Sequence, residues 1–268
     1  MSSPLELHLS IIKYVPLFFA VAIFIFTAIG WYLGHYRLRK NNGSEITVRD
    51  SLAAAIFGLS ALVLGFTFST AATRYNVRVD SVRAQAQILG EVYKSIRYLA
   101  PSDQVVIKNS LNDLLNLRLT IYKDAKSRLD VDKGAEKISE TSRKIYEEVS
   151  RATPNAPAES QALANEILMP QVRSLSTVFA AGIINMQSHP PRLLMNFLFS
   201  LLCVGAFLIG YTMAVKSESD WLLAGLYIVL IGLSLYVILS LEMPDILMPY
   251  EEINRELLLL KETFSASP

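Results

Sequence analysis

The order of charged and apolar residues divides this chain into long uncharged stretches separated by charged segments. Four stretches carry no Asp, Glu, Lys or Arg over 21 to 23 consecutive positions: residues 14–34, 51–73, 193–215 and 221–241. As helices they would measure roughly 31–35 Å, and the hydrocarbon core of a bilayer is about 30 Å thick. A soluble protein seldom buries four such helices, so the pattern predicts an all-α integral membrane protein with four transmembrane helices.

The first stretch has a second interpretation, as a secretory signal peptide. It exceeds the usual apolar core of such a peptide, roughly 7–15 residues, and no Ala-x-Ala cleavage site follows it before His35. We therefore interpret it as a retained helix. Residues 1–73 are then expected to hold the first two transmembrane helices, and residues 192–241 the last two.

Residues 74–191 differ in character, because charged residues return and apolar residues recur at helical spacing. Helices are expected over Arg74–Leu99, about 103–128, Lys133–Arg151 and Glu159–Gln187, with a loop at Thr153–Ala158 and a break at His189-Pro190-Pro191 before the third span. The segment predicts an extramembrane helical domain, inserted between the second and third spans, whose first and last helices continue those spans. One interpretation is a bundle that holds the membrane helices, and it is favoured because charged helix faces are usually solvated. The other interpretation is an extension of a conduction path or a regulatory platform.

The C-terminal tail, residues 242–268, is predicted to be amphipathic. Apolar residues mark one side of a helix over Tyr250–Phe264, whereas its other side is mainly acidic. Helices that lie on a membrane surface favour Lys and Arg. Docking onto the helical domain is therefore the favoured interpretation, and a position on the membrane surface is the alternative.

Composition narrows the function. Only 18% of residues are charged and 52% are hydrophobic, while 25 Lys and Arg against 24 Asp and Glu leave a net charge of +1, which disfavours nucleic-acid binding. The one cysteine, Cys203, and the scattered His8, His35 and His189 offer no disulfide, metal-ligand or catalytic spacing. No metal, cofactor or enzymatic activity is expected.

The second uncharged stretch has distinct faces at 100° per residue. One narrow stripe consists of small residues: Ala54, Gly58, Ala61, Gly65, Ser69 and Ala72. Beside it run Leu62, Phe66 and Thr73, and on the opposite side Ser60, Thr67, Thr70 and Arg74 form a polar line. Small residues let helices approach closely in lipid, so the stripe predicts packing against a neighbour within the chain or between subunits. Such a helix belongs at the centre of an assembly.

Within this stretch, Gly65-Phe66, Ser69 and Arg74-Tyr75 resemble the Gly-Phe, Ser and Arg-aromatic pattern of bestrophins. The four-span order with a helical insert is also similar to that family and to uncharacterised bacterial bestrophin-like proteins. The resemblance implies a homopentameric ion channel, with five copies of the second helix around a central pore. It also implies an apolar constriction at Phe66 and Leu62, with Gly58 one turn further along.

The chain departs from the bestrophin pattern at several positions. Gly58 offers no side chain to the constriction, the Trp after the Arg-aromatic pair is missing, and the acidic calcium ligands have no clear match in Glu242–Glu252, so no calcium regulation is expected. The polar line on the other face is a competing lining, and its Thr67 and Thr70, like Thr73, could solvate an ion. The family register selects the Leu62 and Phe66 face.

Arg74 lies at the predicted membrane boundary and has two interpretations. Repeated around an axis it would favour anions, but an ionic residue at such depth usually pairs, here with Glu242 or Asp245.

Two functions remain open: an oligomeric ion channel, or a non-conducting membrane scaffold or sensor whose helical domain recruits partners. The expected partners are the lipid bilayer, inorganic ions and further copies of the chain. Basic residues near the membrane are almost equally numerous on both sides, so orientation is taken from the resemblance. It implies that the helical domain and both termini are cytoplasmic, and the expected location is a bacterial inner membrane.

Overall fold

A computed structural model describes residues 4–40, 50–123, 128–188, 190–216, 221–243 and 248–266. All regular secondary structure in these ranges is helical. The eight long helices are α1 (Pro4–Lys40), α2 (Asp50–Ser95), α3 (Pro101–Lys123), α4 (Arg128–Ala152), α5 (Met169–Gln187), α6 (Arg192–Val215), α7 (Trp221–Glu242) and α8 (Tyr250–Ala266). A helical turn, Gln161–Leu163, and a π-helical turn, Ala164–Leu168, lead directly into α5.

Helix α2 continues without a break from the second uncharged stretch into the charged segment. This confirms that the first helix of that segment extends the second span. The last helix of the segment does not run unbroken into the third span, because α5 ends at Gln187 and α6 begins at Arg192, which agrees with the break expected at the prolines. Pro190 and Pro191 lie in the gap, where each lacks a backbone N–H and disfavours helical geometry in the residue before it.

The chain divides into two compact units. The apolar unit comprises residues 10–73 and 189–247, and the charged unit comprises residues 1–9, 74–188 and 248–268. In the apolar unit, side chains of α1, α2, α6 and α7 share one buried cluster, which includes Ile23, Leu198, Leu202, Ala206 and Leu235.

Glycines determine how closely α1 and α6 approach each other within the apolar unit. A β-carbon added at Gly30 would collide with the backbone carbonyl oxygen of Phe207, and one at Gly34 would lie 2.6 Å from the Cβ of Ala214. On α6, a β-carbon at Gly210 would collide with the carbonyl oxygen of Thr27. The sequence Gly30-x-x-x-Gly34 therefore lets two backbones pack directly, as small residues at this spacing do in membranes.

The charged unit has a single apolar core. Helix α3 packs on α4, α4 on α5, and α8 on α3, and they surround fully buried leucines such as Leu89, Leu111, Leu115 and Leu175. Ile253 and Leu257 of α8 belong to this core, and Phe264 stacks on Tyr93 of α2 with 4.1 Å between ring centroids. The favoured interpretation of the tail, docking onto the helical segment, is confirmed.

Polar side chains form a seam between α2 and α5 inside the same unit. Arg78 donates from Nη2 to the carbonyl oxygen of Ser188 at 2.7 Å, and Asn185 donates from Nδ2 to Oγ of Ser81 at 2.7 Å. One turn further, the buried Gln85 accepts from Nε of Arg118 on α3 at 2.9 Å. The seam fixes the rotation of α2, because each buried polar group has a partner that only one helix register supplies.

Within the described residues, five helices are long and apolar enough to cross a membrane by length and composition. Four contain the uncharged stretches, and the fifth is Gln161–Met186. Because Val172, Leu175 and Phe179 of this fifth helix are buried in the core of the charged unit, its apolar residues have a protein partner. The count of four spans and the domain boundaries stay predictions.

Replacing Gly30 by Ala is expected to destabilise the protein, because the new methyl group meets the backbone of α6. Overpacking of this kind costs about 1–3 kcal/mol. The melting temperature of the detergent-solubilised protein measures it. The matched control is Gly225→Ala on α7, where an added β-carbon meets nothing within 4 Å. Equal melting temperatures for the two variants would contradict the close α1–α6 packing.

Replacing Leu257 by Ala is expected to loosen α8 from the charged unit, because Leu257 is fully buried. Truncations of this kind cost about 2–5 kcal/mol. The control is Leu259→Ala, since Leu259 is 48% exposed on the same helix. Limited proteolysis of the C-terminal segment should accelerate only in the first variant, and equal cleavage rates would contradict the docking.

Candidate functional site

The buried face of α2 carries hydroxyl groups within the apolar unit. Ser60 is 4% exposed and Thr67 is 1% exposed, with Ala71 fully buried on the same side. Oγ of Ser60 donates to the carbonyl oxygen of Ile56 at 2.7 Å, and Oγ1 of Thr67 donates to that of Val63 at 2.8 Å. Because each hydroxyl proton is satisfied by the carbonyl one turn earlier, both side chains can pack inside the unit.

The structure therefore divides the predicted polar line. Ser60 and Thr67 are inside the unit, Arg74 is half-buried, and Thr70 is exposed while donating from Oγ1 to the carbonyl oxygen of Phe66 at 2.9 Å. A continuous water-facing row of all four residues is not formed within one chain.

The face opposite to this packing is exposed. Leu62 is 56% and Phe66 is 65% exposed, and Ser69 and Thr73 are exposed one and two turns beyond them. Four of the six small residues of the stripe, Ala54, Gly58, Ala61 and Gly65, are exposed as well, and only Ala72 is half-buried. A β-carbon added at Gly58 or Gly65 would meet nothing within 4 Å. Among the described residues, Gly58 and Gly65 therefore have no close neighbour within the chain, and packing of the stripe stays a prediction.

Helices α1 and α7 of the apolar unit expose surfaces of a different kind. On α1 and α7 the exposed side chains are large and apolar, as lipid requires: Leu17, Phe18, Val21, Phe24 and Ile25 on α1, and Leu222, Leu223, Leu226, Val229 and Leu230 on α7. The outer face of α2 instead combines glycine, alanine and hydroxyl side chains with only a few large apolar ones. This face lacks the composition of a lipid-facing surface, and the part of the chain that the structure describes provides no partner for it.

Beyond the uncharged stretch, the charged unit places ionisable groups on α2 and α8. Burial raises the pKa of Tyr75, the Glu252 carboxylate adds to the rise, and Arg83 opposes it, so this phenol is neutral at physiological pH. Two residues were suggested as partners of Arg74. Glu242 is buried, and Asp245 lies outside the described residues. Among the residues that the structure covers, no three His, Cys, Asp or Glu side chains are grouped to hold a metal ion.

A family model of the bestrophin-like domain matches residues 20–244. The chain belongs to the bestrophin-like family. Its fold is similar to that of a bacterial bestrophin homologue from Klebsiella pneumoniae, solved as a single-residue variant, with a TM-score of 0.66 and 13% identity over 94% of this chain and 99% of that one. A second crystal structure of that homologue gives a TM-score of 0.63 and 14% identity over 92% and 98% of the two chains. No functionally curated protein matches the sequence.

This protein is therefore an integral membrane protein with an all-helical, bestrophin-like fold. The family is known for ion channels. The resemblance based on Gly65-Phe66 and Arg74-Tyr75 is thereby confirmed. Sequence reasoning missed the contact made by Gly30, Gly34 and Gly210. Its signal was the Gly-x-x-x-Gly spacing in the first span, which is visible in the sequence once small residues are examined on every helix.

Cysteine labelling is expected to separate the two faces of α2. In a Cys203→Ser background, Ser69→Cys should react with a charged, water-soluble maleimide in liposomes, because its side chain is exposed. Thr67→Cys should not react, since that position is buried. The yield of labelled protein by mass spectrometry measures both. Equal reactivity, or labelling of Thr67→Cys alone, would contradict the assignment of the faces.

Proposed function

We propose that the protein is a homo-oligomeric ion channel, a pentamer, in which copies of α2 surround a central pore. The observation that carries the proposal is the exposed outer face of α2. Its composition differs from that of a lipid-facing surface, and the described part of the chain provides no partner for it. Membership of a family known for channels supports the same reading.

Assembly follows from the small residues of that face. Transmembrane helices associate through close packing and not through hydrophobicity, because lipid chains are as apolar as leucine. Ala54, Gly58, Ala61 and Gly65 present little more than backbone to a neighbouring copy. Copies of α2 can therefore approach closely, while the large apolar side chains of α1 and α7 face lipid.

The constriction in this proposal is formed by Leu62 and Phe66. They lie one helical turn apart and are more than half exposed, so rings of these side chains would narrow the pore and resist wetting. Ser69 and Thr73 follow on the same face, and Oγ1 of Thr73 donates to the carbonyl oxygen of Ser69 at 2.9 Å. That bond uses the hydroxyl proton and leaves oxygen lone pairs for an ion or its hydration water.

Four neighbouring positions, Gly58, Thr67, Thr70 and Arg74, lie outside the constriction. Gly58 lies one turn before Leu62 and widens the pore there, because it carries no side chain. Thr67 is excluded from the lining by its burial, and Thr70 lies to one side of the Leu62 face. Arg74 is rotated by about 120° from that face at 100° per residue, so an anion preference based on Arg74 loses its support.

The proposed surroundings are the lipid bilayer of a bacterial inner membrane and inorganic ions in the pore, with no cofactor. The charged unit and both termini are placed on the cytoplasmic side, as the family resemblance implies. The alternative, a non-conducting scaffold or sensor, would retain the same oligomer without a current.

Replacing Phe66 by Ala is expected to increase the single-channel conductance by about twofold or more, because a smaller ring widens a hydrophobic constriction. Leu62→Ala should act in the same direction. Purified protein in planar bilayers provides the current, and native mass spectrometry of the same preparation provides the number of subunits.

The matched control is Phe68→Ala, because Phe68 is also an exposed aromatic residue of α2 but lies on another side of the helix. Its conductance should equal that of the wild type. An unchanged conductance in Phe66→Ala and Leu62→Ala would contradict the constriction. A monomer in the mass spectrum would contradict the central pore, and an oligomer that carries no current would favour the scaffold.

A further inference from the structure

The outer face of α2 continues into the charged unit, because α2 is one helix from Asp50 to Ser95. Roughly eighteen residues make five complete turns of 3.6 residues, so positions separated by that number share one side of a helix. Asp80 therefore occupies the same angular position as Leu62, and Arg83 the same position as Gly65. Both charged side chains are exposed.

Asp80 and Arg83 are the first charged residues that this face presents beyond the constriction. The stretch 51–73 carries no charge, and Asn76, the next exposed residue on this side, is neutral. Arg74 lies on a different side of the helix, and Arg78 is 3% exposed and donates to the carbonyl oxygen of Ser188. An ion leaving a ring of Phe66 side chains would therefore meet Asp80 and Arg83 before any other charge of α2.

The two side chains form an ion pair. Nη1 of Arg83 lies 3.2 Å from Oδ1 of Asp80, and the side chains are 63% and 70% exposed. They border a cavity of about 500 Å³ between α2 and α8, which Glu252, Arg255 and Glu256 also line. Charges of both signs are thus in contact with water at this level of the helix. An exposed pair contributes little to folding, so it can be changed without unfolding the protein.

We propose that Asp80 and Arg83 set the charge selectivity of the ion path, and this inference rests on the proposed function. Each copy of the chain would contribute one negative and one positive group at nearly the same height, so the fields of the two groups largely cancel at the distance of the axis and the intact pair favours neither anions nor cations. Neutralising one member in every subunit leaves a ring of like charge, which attracts ions of the opposite sign over about one Debye length, roughly 8–10 Å.

The test measures reversal potentials of the reconstituted protein in a potassium chloride gradient. Arg83→Gln should raise the ratio of cation to anion permeability by roughly threefold or more, as expected for several like charges acting through water. Asp80→Asn should lower the ratio by a similar factor. The double variant should return to the wild-type ratio, because it restores a neutral ring.

The matched control is the ion pair of Arg143 and Glu147 on α4, which lies 2.9 Å apart and is also exposed but on a different helix. Arg143→Gln and Glu147→Gln should leave the ratio unchanged. If the single variants at Asp80 and Arg83 conduct but keep the wild-type ratio of cation to anion permeability, this inference is overturned and the proposed function is not. A correctly assembled wild type that carries no current would overturn the proposed function and this inference together.

Discussion

The structure depends on which side chains each helix of the apolar unit exposes to lipid, which offers no hydrogen-bonding partners. In a bilayer, backbone groups must be satisfied within the helix, and large apolar side chains are what lipid accepts. Helices α1 and α7 meet this condition on their exposed sides. The outer face of α2 does not, because its surface is built mainly of glycine, alanine and hydroxyl side chains. That mismatch makes a second copy of the chain, together with water, the most suitable neighbour of α2.

Two devices hold α2 in the orientation that exposes this face. In the apolar unit, the hydroxyls of Ser60 and Thr67 bond to their own helix and so can pack among apolar neighbours. In the charged unit, Ser81 and Gln85 pair with side chains of α5 and α3.

Much of the fold could be predicted because membrane helices obey simple rules. Absence of charge located the apolar stretches, and the acidic polar side of the tail indicated that α8 docks on protein and not on lipid. The errors came from features that pattern alone leaves open. Gly58 and Gly65 of α2 meet no neighbour within 4 Å, whereas Gly30 and Gly34 on α1 pack against α6.

The sequence by itself determined the membrane class, the helical content and the family, because charge, spacing and short motifs are properties of the linear chain. Only the tertiary structure decided which side of α2 is buried. Two faces had competed, one with Thr67 and one with Leu62, and periodicity places both on the same helix with equal clarity. Their difference arises from packing against α1, α6 and α7, which depends on contacts between residues far apart in the chain.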